Sequence, residues 1–284
     1  MADLKAGYIG IAQLESGLKI RCIDFNVNPQ QDALFYNHAI GLNDTVPTNS
    51  STKGEVVGTI QTQRRIWRPS PIALSGGMSF PATEGNLQEM FDHMKYGTYF
   101  NLDFEYYCET QRKFTNCRLN SYNFSITAGD IINTTVDLQA LDVEDNTGHI
   151  GNSDPEKLIT WDKVEISISG DSGIDNSYIQ GLDINVNNNL TPIYTANPGT
   201  AMDNLLPYDL RLGMQEVTGN LTLFLKEGRE YIPTTLTDAI VISITAPSFT
   251  TDVNVVLRPR DLNGAIGPIV TSIPFVGVDK AFGE

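Results

Sequence analysis

The sequence predicts a mainly β protein that consists of two tandem antiparallel domains, each a β-sandwich or half-barrel, with a short flanking α-helix. Three observations predict this class. The chain has 284 residues, more than the roughly 100–150 residues of a typical domain. Several segments alternate apolar with polar residues, and three short blocks of sequence recur in the same order in both halves. The 24 Gly and 14 Pro residues indicate many turns and favour strands over helix bundles.

The strands are predicted from period-two alternation, in which every second side chain faces a core. One such segment is 102–106, and a second is 164–169, where apolar residues alternate with serine or glutamate. A third segment, 253–257, ends shortly before Pro259, as an edge strand or a turn permits. By this pattern we expect about six or seven strands in each half.

One segment departs from this alternation and predicts a short helix. Its apolar residues recur at intervals of three and four, which places them on one helical face. Asn86 and Glu89 can supply the capping interactions at its start, and Gly97 can end it. We expect the apolar stripe to contact a sheet rather than a ligand; it consists of Leu87, Met90, Phe91 and Met94.

The internal repeat consists of three blocks whose members lie 159, 143 and 137 residues apart, in that order along the chain. Short matches also arise by chance, but the common order of the blocks leads us to infer a tandem duplication. The first two blocks pair Asp24–Asn28 with Asp183–Asn187 and Ser75–Phe80 with Thr218–Leu223. The third pairs Gly129–Ile132 with Gly267–Val270, at an offset of 138, and Val136–Leu138 with Ile273–Phe275, at 137.

The fall in offset from 159 to 143 means that the first copy contains 16 extra residues between its first two blocks. Residues 41–54 are rich in turn formers and short of apolar periodicity, so we expect a long exposed loop there. The polar segment at residues 147–154 has the composition of an interdomain linker. We therefore predict a first domain at 1–146 and a second domain at 155–284.

Net charge and cysteine content limit the possible partners and compartment. With 34 acidic against 19 basic residues the formal charge is −15. Such a surface repels phosphates, although the total by itself fits simple solubility equally well. Cys22, Cys108 and Cys117 form no C-x-x-C pair, which suits a reducing compartment. The first residues, MADLKAGYIG, have no signal-peptide pattern, and no apolar run reaches about 20 residues. We expect synthesis in the cytoplasm and no membrane partner.

The sequence gives little support for an active site. The three histidines form no zinc-binding pattern, and no G-x-S-x-G motif is present. Asp103 and Glu105 could form the carboxylate pair of a glycosidase, but they fall on the polar side of a predicted strand, where a solvated face is the commoner interpretation. The Asn-rich segment 183–189 offers oxygen ligands for calcium, yet an Asn-rich turn explains it more simply. We predict no enzyme activity, no cofactor and no metal.

The one concentrated basic patch of the sequence surrounds Trp67. Guanidinium groups beside an indole in an acidic protein favour a charge-complementary contact with another subunit. A DNA phosphate is the alternative partner, but the net charge of −15 and the lack of a base-reading motif favour the subunit contact. The patch consists of Arg64, Arg65, Trp67 and Arg68.

Several segments resemble the tail tube proteins of long-tailed bacteriophages, and together they cover most of the chain. The third block of the second half departs most from the family pattern, because Pro268 and Pro274 interrupt it. The segments are Leu158–Ile168, Leu182–Tyr194 and Glu216–Leu223 in the second half, and Cys117–Ile132 with Val136–Leu138, which resembles the family's C-terminal hairpin, in the first half.

The resemblance implies a virion tail protein with a duplicated tail-tube domain. Single-domain members of the family form hexameric rings, so a fused pair would form a pseudo-sixfold ring from three chains. Stacked rings would enclose an electronegative channel through which DNA passes during ejection without specific binding. The implied partners are other copies of the chain and other tail proteins, namely the tape measure, the terminator and the tip.

The resemblance also suggests roles for two groups of residues. Acidic and polar residues on the channel wall would keep the DNA hydrated and mobile, and the candidates are Asp103, Glu105, Asp137 and Gln139. The family's long loop reaches the next ring, and the 41–54 loop would do so through Asn43, Asp44, Thr48, Asn49, Ser50 and Lys53.

Three alternatives remain open from the sequence. Another tail component, such as a terminator or a distal ring protein, would share the fold without forming a long tube. A non-viral adhesin or carbohydrate-binding β-sandwich fits the composition but normally needs an export signal. A glycosidase would need a cleft that holds an acid with a raised pKa.

Overall fold

The computed structural model describes residues 10–39, 63–106, 110–146, 150, 157–170, 174–195, 205–224, 239–258, 270–278 and 281–282. The protein is mainly β, and its described sheets are antiparallel. One short α-helix packs against the main sheet, which is not closed into a barrel. The predicted fold class, a β-sandwich with a flanking helix, is confirmed.

The first half contains eight strands and the helix within the described residues. These are β1 (Gly10–Leu14), β2 (Lys19–Cys22), β3 (Asp24–Ala39), β4 (Gln63–Pro81), α1 (Asn86–Tyr96), β5 (Phe100–Tyr106), β6 (Thr110–Thr127), β7 (Asn133–Ala140) and β8 (Asp142–Asn146).

The second half contains a further eight strands within the described residues. These are β9 (Glu165–Ser169), β10 (Ile179–Asn187), β11 (Thr191–Ile193), β12 (Asp209–Arg211), β13 (Glu216–Phe224), β14 (Ile240–Ala246), β15 (Phe249–Leu257) and β16 (Val270–Gly277). Residues 225–238, which follow β13 as α1 follows β4, lie outside the described part of the chain.

Strand order is the same in the two halves. In the first half neighbouring strands pair in the order β3, β4, β7, β6, β5, β1, with β2 beyond β1. In the second half they pair in the order β10, β13, β16, β15, β14, β9. The long strand β6 belongs to two sheets, because its N-terminal part pairs with β5 and β8 and its C-terminal part pairs with β7 and β10. The ladder between β6 and β10 joins the halves.

Cross-strand register also corresponds between the halves. Met78 lies opposite Val136 in the first half, and Leu221 lies opposite Ile273 in the second. These four residues are related by 143 and 137 residues, the offsets of the second and third sequence blocks. The first block differs, because the residue opposite Gly76 is Val27, whereas the residue opposite Gly219 is Ile184, 157 residues later. The ladders therefore shift that block by two residues, which leaves every side chain on the same face.

The core lies between the apolar face of the main sheet and α1, and the helical stripe predicted from the sequence is confirmed. All four stripe residues are buried. The Phe91 ring meets the ring of Tyr122 on β6 edge-on, at 5.9 Å between centroids, and that of Phe249 on β15 at 5.1 Å. One helix in the first half thus packs on strands of both halves.

The helix ends as predicted but begins differently. Gly97 has φ of +57°, the left-handed conformation expected of a C-terminal glycine. At the start, the side chain of Asn86 accepts a hydrogen bond from the backbone N–H of Thr83 (2.9 Å), and the Thr83 hydroxyl accepts one from the backbone N–H of Asn86 (3.1 Å). This is a reciprocal capping box one turn earlier than predicted. Glu89 instead accepts a hydrogen bond from Ser16 (2.5 Å).

The segment that follows the predicted linker is attached to the first half. The backbone N–H of Ile159 donates to the Ala82 oxygen (2.9 Å), and its oxygen accepts from the N–H of Ile132 (3.2 Å). Ile159 is fully buried. The predicted second domain therefore begins, at residue 155, just before a segment that is hydrogen-bonded to the first half. The domain limits stay a prediction.

Candidate assembly surfaces

The two halves of the chain are joined by a ladder between β6 and β10. We call it the β6–β10 seam and define it by the ladder that runs from the Gly181–Thr127 pair to the Asn187–Ser121 pair. On the exposed face of this ladder the Ser125 hydroxyl donates to the carboxylate of Asp183 (2.5 Å). The seam is thus a continuous antiparallel pairing and not merely two packed surfaces.

Asn188 completes the seam at one end. Its side-chain amide nitrogen donates to the backbone oxygens of Met94 (3.1 Å) and Leu119 (3.0 Å), and its side-chain oxygen accepts from the Gln215 amide (2.8 Å). Its backbone N–H donates to the Asn120 oxygen (2.7 Å). Asn188 is only 2% exposed, so these bonds satisfy a buried polar side chain that would otherwise destabilise the fold.

The Asn-rich segment that suggested either calcium binding or a turn forms a turn. Asn189 has φ of +48°, and its backbone N–H donates to the side-chain oxygen of Asn187 (2.9 Å). The amide of Asn189 donates to the Met214 oxygen (2.8 Å). Among the described residues no group of three or more His, Cys, Asp or Glu side chains could hold a metal ion.

A second polar contact crosses between the halves next to Asn188. The Arg118 guanidinium lies over the Tyr99 ring, 3.8 Å from its centroid, and donates to the backbone oxygen of Leu210. The Tyr99 hydroxyl donates to the Asp209 carboxylate (2.5 Å). Burial of the phenol, followed by its bond to Asp209, raises the pKa of Tyr99 above its usual value. Residues of β12 are therefore fixed to the end of the first half.

The exposed face of the main sheet is polar across both halves. It extends over β3, β4, β7, β6, β10, β13 and β16, and its exposed or half-buried acids are Asp24, Asp137, Asp183 and Glu216. The Asp137 carboxylate accepts a hydrogen bond from the Ser121 hydroxyl (2.7 Å). Among the described side chains of this face the only basic one is Arg118, whose guanidinium lies over the Tyr99 ring. We call this surface the polar face.

The four candidate channel residues divide between two sheets. Asp137 and Gln139 lie on the polar face, on β7, whereas Asp103 and Glu105 lie on β5 in the sheet with β1. The expectation of a solvated Glu105 is wrong: Glu105 is 1% exposed, and its carboxylate accepts the backbone N–H of Ile150 (2.7 Å). The residue that binds it, Ile150, lies within the predicted linker at 147–154. Asp103 is half-buried.

The other predicted contact residues are only partly described. Arg64, Arg65, Trp67 and Arg68 lie on β4, where their backbones pair with β3, and their side chains are outside the description. The loop residues Asn43, Asp44, Thr48, Asn49, Ser50 and Lys53 lie outside the described residues. Both assignments stay predictions.

Two seam residues were missed by sequence reasoning for an identifiable reason. Asn188 and Gln215 belong to no motif, and their partners Met94 and Leu119 are distant in sequence. The only available signal was the Asn run itself. Of the histidines, His93 bonds through Nδ1 to the Thr98 hydroxyl (2.8 Å), and burial lowers its pKa. It packs locally and joins no cluster of ligands.

These features define a class: a mainly β protein whose two halves are joined by a continuous antiparallel ladder and by buried polar contacts. A family model described as phage tail tube protein matches residues 24–277. The chain therefore belongs to the phage tail tube protein family, and it is a structural protein of the virion tail. A comparison with curated proteins found no match. Within the described part of the chain no helix is both long and apolar enough to cross a membrane.

Proposed function

We propose that this chain is the repeating subunit of the tail tube, and that it forms rings which stack around a channel for DNA. The observation that carries the proposal is the common strand order of the two halves. In that order β15 holds the position of β6, and β3 holds the position of β10. A neighbouring chain can therefore repeat the internal seam by pairing its β3 with the end of β15.

The free edges support this arrangement. Among the described strands β3 pairs with β4 alone. β15 pairs with β14 only as far as Val255, so the end of β15 has no described strand on that side, while its other side is bonded to β16 and to the residues after it. In the first half β6 continues past its partner β5 and there meets β10. An unpaired strand edge is normally covered or paired in a stable assembly, and pairing around a ring removes it.

We propose a ring of three chains. Duplication of one domain is supported by the shared strand order and by the matching pairs Met78–Val136 and Leu221–Ile273, with domains at 1–146 and 155–284. Four strands of each half would line the ring, namely β3, β4, β7 and β6 of the first half and β10, β13, β16 and β15 of the second. Three chains therefore supply 24 strands. At a spacing of about 4.8 Å and a tilt of about 40°, such a barrel is roughly 50 Å across between opposite backbones, wide enough for hydrated duplex DNA.

The polar face is the surface that would line the channel. The opposite, apolar face is covered by α1, whose Phe91 packs on Tyr122 and Phe249, so it cannot face an open lumen. Asp137 and Asp183 on the polar face would repel phosphates, whereas a basic wall would release counterions and retain the DNA. We therefore assign the wall to Asp137, Gln139 and Asp183, and leave out the buried Glu105.

The remaining roles follow from assembly and not from chemistry. We propose that the chain is made in the bacterial cytoplasm, has no catalytic activity, and meets the tape measure, terminator and tip proteins in the tail. The 41–54 loop would contact the next ring, and the basic patch around Trp67 would contact a neighbouring subunit. DNA would pass through during ejection without specific binding.

Electron microscopy of the purified protein over a range of concentrations, together with mass measurement of the particles, tests the proposal. We expect rings of about 94 kDa, three times the chain mass of 31.2 kDa, and hollow tubes at higher concentration. Rings that never stack would instead indicate a terminator or distal ring protein. A monomer that persists even with tail-tip nuclei would contradict polymerisation.

A further inference from the structure

Large apolar side chains that remain exposed are found at the two ends of the strands of the main sheet. Within the described residues ten such side chains are exposed. We call the two groups the lower surface and the upper surface. The lower surface consists of Ile23, Ile131, Leu158, Trp161, Phe224 and Val270; the upper surface consists of Tyr96, Tyr208, Leu212 and Met214.

The lower surface lies where β6 ends and β10 begins. Ile131 is in the turn from β6 to β7, and the Trp161 N–H donates to the backbone oxygen of Asp130 in the same turn (3.2 Å). Phe224 and Val270 form the last pair of the ladder between β13 and β16 at this end, where they lie at the lower rim of the polar face. The surface thus extends across both halves.

The upper surface lies at the opposite end of the same strands, beside Asn188. Gly213 donates its N–H to the Asn188 oxygen (3.0 Å), which fixes Leu212 and Met214 next to the end of α1. A Cβ placed on Gly97 would lie 2.4 Å from Leu212, so the two are in close contact. Tyr96 is the last residue of the helix. The seven residue pairs of the β6–β10 ladder separate this end from the lower one, and their six steps span about 20 Å along the strands.

We propose that the lower surface of one chain packs on the upper surface of an identical chain in the next ring. This inference rests on the proposed function, because strands tilted by about 40° in a ring present their ends to the neighbouring rings. A contact between two different surfaces repeats without limit and forms a filament, whereas a contact of like surfaces closes after two rings. The two surfaces of this chain differ in composition, as an open-ended stack requires.

The two surfaces expose different apolar groups. Trp161 is 47% exposed and Met214 is 81% exposed, and tryptophan and methionine are enriched at interfaces. Charges of both signs flank each surface. They are Asp130, Asp162, Lys157 and Lys163 at the lower surface, and Lys95, Arg211, Asp209 and Glu216 at the upper surface. The direction of stacking is therefore assigned to the apolar residues, which differ between the two surfaces.

Two single substitutions separate the surfaces. Trp161→Ser removes the lower anchor, and Met214→Glu places a charge in the upper one; both sites are exposed, so the fold should tolerate the changes. Thr218→Glu, on the polar face near the upper end, is the control with the same added charge as Met214→Glu. We expect both surface variants to form rings of wild-type mass but at least tenfold fewer tubes, while the control forms tubes normally.

A mixing experiment identifies which surfaces meet. Rings of Met214→Glu keep an intact lower surface and rings of Trp161→Ser keep an intact upper surface, so the mixture should give double rings while each variant alone gives single rings. Double rings from either variant alone, or normal tubes from both, would overturn this inference and leave the tube proposal standing. Wild-type protein that forms neither rings nor tubes would overturn both.

Discussion

The side chain of Asn188, at the end of β10, donates a hydrogen bond to the backbone oxygen of Met94 in the last turn of α1, at 3.1 Å. These residues belong to different halves of the chain. The same amide also binds Leu119, so a single buried side chain holds a helix of the first half, the long strand β6 and the start of the second half in one position.

Asn188→Ala should lower the free energy of unfolding by about 2–4 kcal/mol. It removes the side-chain donor to the Leu119 oxygen and the shorter of two amide contacts to the Met94 oxygen, and it takes away the acceptor of the Gln215 amide on Asn188. Urea denaturation followed by circular dichroism measures this change. Asn123→Ala, at a half-buried site on the polar face, is the matched control and should change the value by less than about 0.5 kcal/mol. Equal effects of the two substitutions would show that the Asn188 bonds contribute nothing specific.

Gly97→Ala should destabilise the protein for two separable reasons. The left-handed φ of +57° disfavours any side chain, by about 1 kcal/mol, and the new Cβ would lie 2.4 Å from Leu212. Repeating Gly97→Ala in a Leu212→Ala background removes the second cause and should recover part of the loss in thermal midpoint. Gly129→Ala, with φ of +89° and no atom within 4 Å of its Cβ, isolates the first. A loss at Gly97 no larger than at Gly129 would argue against the contact.

The free energy of unfolding should fall as the pH rises above about 9. Burial raises the pKa of Cys22 from 9.0 to about 12 and also raises the pKa of Cys117. Above the ordinary pKa the unfolded thiols ionise while the native ones do not, so stability present at lower pH is lost, by at most about 1.4 kcal/mol per pH unit for each thiol. Denaturation at several pH values between 8 and about 10 measures the slope.

Replacing both cysteines with alanine should flatten that slope, although it also lowers stability at every pH. The comparison is of slopes and not of absolute values, because other groups titrate in the same range. An unchanged slope in the double variant would show that the two buried thiols do not control the alkaline loss.

Asp137→Lys should make assembled tubes bind duplex DNA if the polar face lines the channel. The binding should be about tenfold weaker at 200 mM than at 50 mM salt, because it depends on counterion release. Glu144→Lys on β8, which is exposed and outside the polar face, makes the same change in net charge and is the control. Co-sedimentation of tubes with open-ended DNA gives the readout. Equal binding by both variants would place Asp137 outside the channel.

Local sequence patterns predicted the parts of the fold that depend on neighbours in the chain. The spacing of Leu87, Met90, Phe91 and Met94 predicted α1 and its buried face. The offsets of the second and third repeat blocks relate residues that hold equivalent places in the ladders of the two halves. The first block was displaced by two residues, because DFNVN and DINVN match as letters while the hydrogen-bonded register is set by the facing strand.

Features that depend on distant residues could not be predicted. Glu105 follows the alternation of a solvated face, but Ile150, 45 residues later, covers it and binds its carboxylate. Asn188 was one of several asparagines in a run, and no residue close to it in sequence indicates that its hydrogen-bond partner is Met94. Asp137, by contrast, lies on an exposed face as its alternation indicated, because both strands beside β7 belong to the same regular sheet.

The pairing of β6 with β10 has a consequence for how assembly depends on concentration. Because both strands belong to one chain, this contact forms as a first-order step and does not require a collision between molecules. Bringing two separate molecules together loses translational and rotational freedom worth about 4–15 kcal/mol, and that loss does not arise here. In the proposed ring, three fused chains need two encounters before closure where six separate domains would need five, so such rings would form at lower protein concentration in the infected cell.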